Sequence, residues 1–255
     1  MFKLLVTLVM AASLSTSIYA QTEAPSEIPI PPTPPKTPKT PKNPKNPREK
    51  SHEKKTAEVG EQAPEFELVD QNGNTHTLEE YKGKIVVLEW FREKCPYCKH
   101  TWESGLIPKL IRDLKDMDSE VVYLAVNSTA NAPKEEVIAG GKEFLEELEV
   151  DVPILSDYSG EVGREYGART TPHLFVIDAE GILVYQGALS DDNRGDEGSK
   201  AETHILRVVT QLEAGEEVSP SYVQPWGCGV KYANDGGRDG RGKGGRRPRD
   251  GSGQR

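Results

Sequence analysis

Apolar and polar positions divide the middle of the chain into short strands and amphipathic helices. Phe66-Glu67-Leu68-Val69 and Thr75-His76-Thr77-Leu78 flank Asn72-Gly73, a dipeptide suited to a tight reversal, and predict a β-hairpin. Ile85-Val86-Val87-Leu88-Glu89-Trp90-Phe91 is an apolar run broken by one carboxylate, and predicts a strand buried on both faces. Trp102, Leu106, Leu110 and Leu114 recur at four-residue spacing and predict a helix from Pro96 to Met117, kinked at Pro108. Val121 to Val126 predicts a second buried strand. A helix follows from Pro133 to near Val150, weakened in the middle by Gly140-Gly141. Val152 to Leu155 reads as a short extended piece and Val162 to Tyr166 as a short helix. Leu174 to Ile177 and Ile182 to Tyr185 form a strand pair about the turn Asp178 to Gly181, and Ala201 to Leu212 is a last helix. Strands alternating with helices imply an α/β fold, a mixed central sheet with helices on both faces and an N-terminal β-hairpin.

The ends of the chain follow other patterns. Residues 1–20 read as an export signal: Lys3, an apolar run from Leu4 to Leu14, then Ser15, Thr16 and Ser17 before Ala20. An uncleaved membrane anchor is the alternative, although the run is shorter than the ~20 apolar residues of a span. Residues 21–57 hold 10 Pro in 37 positions and read as an extended, disordered linker. Residues 231–255, rich in Gly and Arg, read as a disordered tail. That leaves 58–230 as one folded domain.

Charge sharpens the division. The chain carries a net charge of −9. Residues 58–230 hold 15 Lys+Arg against 34 Asp+Glu, a net of −19, whereas the linker is +4 and the tail +5. Phosphate is repelled by such a globule, which argues against a nucleic-acid partner. The basic arms suit electrostatic contact with anionic envelope polymers.

Chemistry concentrates at Cys95-Pro96-Tyr97-Cys98, between the buried strand and the helix. A helix N-terminus offers free N–H groups and partial positive charge, which favour a thiolate. Cys95 then acts as nucleophile and Cys98 resolves the mixed disulfide. Pro96 suits the first helical position. A zinc half-site and an inert disulfide remain alternatives, but zinc needs four ligands and the only further cysteine is Cys228. Haem attachment needs His directly after the second Cys, where Lys99 stands. Glu89, alone in its apolar strand, has the setting of a carboxyl with a raised pKa and is a candidate proton acceptor for Cys98.

Several segments together resemble the thioredoxin-like superfamily, and within it the exported redoxins of the AhpC/TSA type. They are Gly60-Glu61-Gln62-Ala63-Pro64-Glu65-Phe66-Glu67-Leu68, Tyr81-Lys82-Gly83-Lys84, the Cys95–Cys98 pair, and Thr171-Pro172-His173-Leu174-Phe175-Val176-Ile177-Asp178. The resemblance covers nearly all of residues 58–214. It implies a thioredoxin-like fold, a cis bond before Pro172 facing the cysteines, and pairing of the Thr171 backbone with a bound substrate chain. It also implies an acidic residue at the position of Glu89. The expected substrate contacts are Trp90, Pro96, Tyr97, Thr171 and Pro172. No cofactor beyond the dithiol and no metal is expected. The expected partners are protein disulfides or a thiol reductant.

Two rival chemistries stay open. The related peroxiredoxins reduce hydroperoxides, but they carry Thr or Ser three residues before the reactive Cys, where this chain has Arg92. Copper assembly would require His100 and His173 to face the cysteines. Cys228, in Pro225-Trp226-Gly227-Cys228-Gly229, reads either as a third redox cysteine relaying to Cys95 or as a plain buried thiol. Localisation is expected to be periplasmic or extracellular.

Overall fold

The structure is a computed structural model that describes residues 56–233. The expected signal at 1–20, nearly all of the linker and nearly all of the tail lie outside the described residues. The edges of both segments are described. Ala57 is buried and donates its N–H to Glu165 O, and Lys231 O accepts from Ala130 N, so packing extends past both expected limits of the domain.

In chain order the strands are β1 (Glu67–Val69), β2 (Thr75–Thr77), β3 (Ile85–Trp90), β4 (Val121–Asn127), β5 (Ile154–Ser156), β6 (Thr170–Thr171), β7 (His173–Ile177), β8 (Leu183–Gly187), β9 (Tyr222–Val223) and β10 (Cys228–Gly229). The helices are α1 (Pro96–Glu103), α2 (Leu106–Lys115), α3 (Lys134–Glu147), α4 (Glu161–Tyr166) and α5 (His204–Glu213). Eight strands form one mixed sheet in the order β2-β1-β5-β4-β3-β7-β8-β9, and β10 pairs with β6 in a separate ladder. The fold is thioredoxin-like, with β3 at the centre, parallel to β4 and antiparallel to β7.

The apolar run of β3 is buried at all six positions. Its side chains alternate between two cores, as a strand's period of two requires. Val87 and Phe91 face the core shared with α1, α2, α3 and α5. Val86, Leu88 and Trp90 face the core shared with α4 and the N-terminal segment around Phe66 and Leu78. The hairpin β1–β2 forms as expected, with Gly73 at φ +89° in its turn.

One expected helix is two. The break falls at Gly105, in the left-handed region at φ +83°, between α1 and α2. Pro108 produces no kink, because it sits in the first turn of α2, where its missing N–H would have had no helical acceptor. The last helix begins at His204 rather than Ala201, with Thr203 accepting from Leu206 N as its N-cap. Strands β6, β9 and β10 have no counterpart in the sequence reading.

Candidate active site

The end of β3 delivers the chain to the start of α1. Cys95 is the N-cap, in extended backbone at φ −83° and ψ 122°, and Lys99 N donates to its carbonyl at 2.9 Å. Pro96 takes the first helical position, as anticipated. Opposite stands the loop before β7, where the Thr171–Pro172 bond is cis. The Cys95 thiol lies 3.1 Å from Thr171 O and can donate to it.

The two sulfurs are set apart electrostatically. Hydrogen bonds from the Cys98 thiol, the Thr171 side chain, the Cys98 N–H and the Cys228 side chain hold the Cys95 pKa well below that of a free thiol, against the opposing effect of burial. Burial drives Cys98 the other way, helped by its bond to the Cys95 sulfur and by the charge of Glu89. The first thiol is thus held towards its thiolate and its neighbour towards the protonated form.

Glu89 has no exposed surface and lies on the cysteine side of the sheet. Its Oε2 accepts from Tyr123 O–H at 2.7 Å, and Trp102 Nε1–H points at both carboxylate oxygens from 3.2 and 3.3 Å. Burial raises its pKa to about 7 despite those two donors, with a smaller contribution from the Cys95 charge. Tyr123 and Trp102 are neighbours of the Glu89 carboxylate that the sequence reading missed. Trp102 registered there only as one apolar position of a helical stripe, and Tyr123 only as part of an apolar strand.

The expected substrate contacts separate into three groups. Pro96 and Tyr97 are exposed at the mouth of the site. Thr171 and Pro172 adjoin Cys95 but are buried, Thr171 beneath β10. Trp90 is a correction. It is fully buried in the opposite core, packs on Tyr166 and Phe175, and donates Nε1–H to Ser128 Oγ at 3.0 Å. Alternation along β3 requires this, since Glu89 and Trp90 are neighbours and must face opposite ways.

The two histidines of the copper reading are not brought to the cysteines. His100 is exposed, with Nε2 beside Gly195 O. His173 packs on Phe175, on the far side of β7 from Leu174 and the cysteine core, and burial with the nearby Arg169 charge lowers its pKa to about 3. Arg169 itself donates its backbone N–H towards His173 Nδ1 at 3.3 Å.

Cys228 is brought to the cysteines. Strand β10 runs antiparallel to β6 with Cys228 opposite Thr171 and Gly229 opposite Thr170. Cys95 and Cys228, from distant parts of the chain, therefore meet at the Thr171 loop.

A dithiol at a helix N-terminus, faced by a cis-proline loop over a mixed sheet, defines a thioredoxin-like redoxin. Residues 59–186 match the model of the AhpC/TSA family, and the chain belongs to that family. Among its relatives is "Thiol-disulfide oxidoreductase ResA" of Geobacillus kaustophilus (strain HTA426), 33% identical over 129 residues, which are 51% of this chain and 68% of that one. The protein of the same name from Bacillus thuringiensis subsp. konkukian is 27% identical over 129 residues, 51% of this chain and 69% of that one. Two solved structures share the fold. A hypothetical protein from Sinorhizobium meliloti 1021 superposes with a TM-score of 0.62 at 25% identity, covering 70% of this chain and 97% of that one. An uncharacterized conserved protein from Geobacillus kaustophilus gives 0.62 at 29% identity, covering 69% and 93%.

Proposed function

We propose that this oxidoreductase exchanges thiols and disulfides through the Cys95–Cys98 pair. The observation that carries the reading is the position of Cys95: N-cap of α1, beside the Thr171–Pro172 loop, with donors led by the Cys98 thiol that lower its pKa. The Cys95 thiolate attacks one sulfur of a substrate disulfide. A Cys95–substrate disulfide forms and the first substrate thiolate leaves. Cys98 gives its proton to Glu89, whose pKa of about 7 suits that transfer near neutral pH. The Cys98 thiolate attacks the Cys95 sulfur, the Cys95–Cys98 disulfide closes, and the second substrate thiolate leaves. The substrate gains two electrons and the enzyme dithiol loses them. Run backwards, the same steps oxidise a substrate dithiol.

The partners in this reading are protein disulfides or a thiol reductant, consistent with the names of the relatives. We assign the protein outside the cytoplasm on the Lys3 and Leu4-to-Leu14 pattern, which lies outside the described residues. Among the described residues no helix is long and apolar enough to cross a membrane.

The test is the Cys95–Cys98 couple in a Cys228→Ser chain, equilibrated with a glutathione series and quantified by mass. A reversible two-electron couple between about −270 and −120 mV is expected. Absence of any such couple overturns the reading. A value near the lower end marks a reductase, and one near the upper end a disulfide donor.

A further inference from the structure

The C-terminal segment forms a strap across the site, and it is fastened on both sides of Cys228. Before it, β9 pairs with β8 and Ala188 N donates to Val223 O at 3.1 Å. Trp226 donates Nε1–H to Ser190 O at 2.9 Å and its ring lies 6.0 Å from that of Tyr97. After it, Val230 N donates to Arg169 O at 3.1 Å, and Tyr232 donates its O–H to Ala168 O at 2.8 Å. The Tyr232 ring sits against Gly160 and Gly163, where any Cβ would collide with it, and beneath the Arg164 guanidinium at 4.6 Å. Gly227, at φ +133°, lets the strap reach the loop, since a Cβ there would run into the Thr171 carbonyl.

This arrangement covers the reactive pair. Cys95 and Cys98 have no exposed surface, whereas Cys228 is partly exposed, packs against the core that holds them, and stands opposite Thr171, whose carbonyl lies 3.1 Å from the Cys95 sulfur. The edge of Thr171, which a substrate chain would need, already carries β10. The strap also lies beyond the stretch matched to the family, which ends at residue 186.

We propose that Cys228 is the sulfur that meets an outside disulfide and relays the exchange to Cys95. The Cys228 thiol passes its proton to the Cys95 thiolate beside it and attacks R–S–S–R; a Cys228–R disulfide forms, and the RS⁻ that leaves takes the proton from Cys95. The Cys95 thiolate attacks the Cys228 sulfur, a Cys95–Cys228 disulfide forms, and the second RS⁻ leaves. Cys98, its proton passed to Glu89, attacks the Cys95 sulfur, closes Cys95–Cys98 and frees Cys228. Two electrons pass from the dithiol to the two RS groups; of the two protons that complete two RSH, one comes from Cys98 through Glu89 and one from water, because Cys95 starts as a thiolate, and Cys228 is regenerated. The inference rests on the dithiol reading above and adds a third catalytic residue to it.

The experiment uses the full 255-residue chain with oxidised glutathione as probe. In Cys98→Ser, one equivalent is expected to yield a Cys95–Cys228 disulfide, read by non-reducing proteolysis and mass spectrometry, with two glutathiones released. Glutathione stably attached to Cys95 or to Cys228, with the other left a free thiol, overturns the relay. In Gly227→Ala, combined with Cys98→Ser, displacing the strap is expected to abolish the cross-link, and its persistence counts against the placement argued here. Cys228→Ser alone is expected to slow oxidation by glutathione disulfide by about tenfold or more, because the covered Cys95 must wait for the strap to open. An unchanged or faster rate overturns the relay while leaving the dithiol reading intact, provided Cys95–Cys98 still forms. Failure of that disulfide to form at all refutes the dithiol reading itself.

Discussion

Replacing Glu89 by glutamine tests the central electrostatic argument. The carboxyl is fully buried, and its pKa rises from 4.5 to about 7, first because burial penalises the charge. That gap corresponds to about 3 kcal/mol against the charged form in the folded state. Below pH 4.5 folded and unfolded chains both hold the proton, and no penalty applies. Between 4.5 and about 7 the unfolded chain releases the proton while the folded chain keeps it, so stability falls as pH rises. Above that window the full penalty stands. Glutamine never ionises, so Glu89→Gln should gain about 3 kcal/mol relative to the parent on going from about pH 4 to pH 8. Its amide must also face Trp102 Nε1–H and the Tyr123 hydroxyl, at a cost of about 1–2 kcal/mol that does not vary with pH. The assay is urea denaturation of both proteins in the oxidised form, which removes titration of Cys95 and Cys98, at several pH values across the window. Parallel stability curves would refute the buried-carboxyl argument. In the reduced form the same variant should resolve mixed disulfides more slowly, and equal turnover from pH 6 to pH 9 would remove Glu89 from the mechanism.

Two further predictions follow from the geometry. With β10 lifted by Gly227→Ala, iodoacetamide should alkylate Cys95 at pH 6 and Cys98 only in alkaline solution, since the Cys98 thiol and N–H still lower the pKa of the first and burial raises that of the second; mass mapping checks the order, and equal rates would refute the split. Gly105→Ala should destabilise the fold by about 1–2 kcal/mol in denaturant titration, because the residue sits at φ +83°, whereas Pro108→Ala should change stability by well under 1 kcal/mol, there being no helical bond to restore.

The parts of the site that were legible share one property: their signal is local. Cys95-Pro96-Tyr97-Cys98 announces a helix start within four residues, and the free N–H groups there bias a thiol whatever the rest of the chain does. Glu89 stands out as one carboxylate in an apolar strand. Trp90 was misplaced although the same strand held the answer, since neighbours on a strand face opposite ways and Glu89 already claimed the cysteine side. Likewise Pro108 drew attention that belonged to Gly105, because the cost of proline depends on where the helix begins, and tertiary packing decided that.

By itself, then, the sequence determined the alternating α/β order, the buried central strand and the dithiol at its end, while the loop at Thr171-Pro172 was legible only through the resemblance. Hydrophobic period and helix-terminus chemistry act over a few residues, and such forces can be read along a line. Only the tertiary structure decided that Tyr123 and Trp102 would hold Glu89, that His173 would turn away, and that β10 would lie on β6. The pairing of Cys228 with Thr171 joins residues 57 apart through a two-residue strand. So short a strand has no period of its own. It exists because Trp226 and Tyr232 find their places on surfaces built by other parts of the chain.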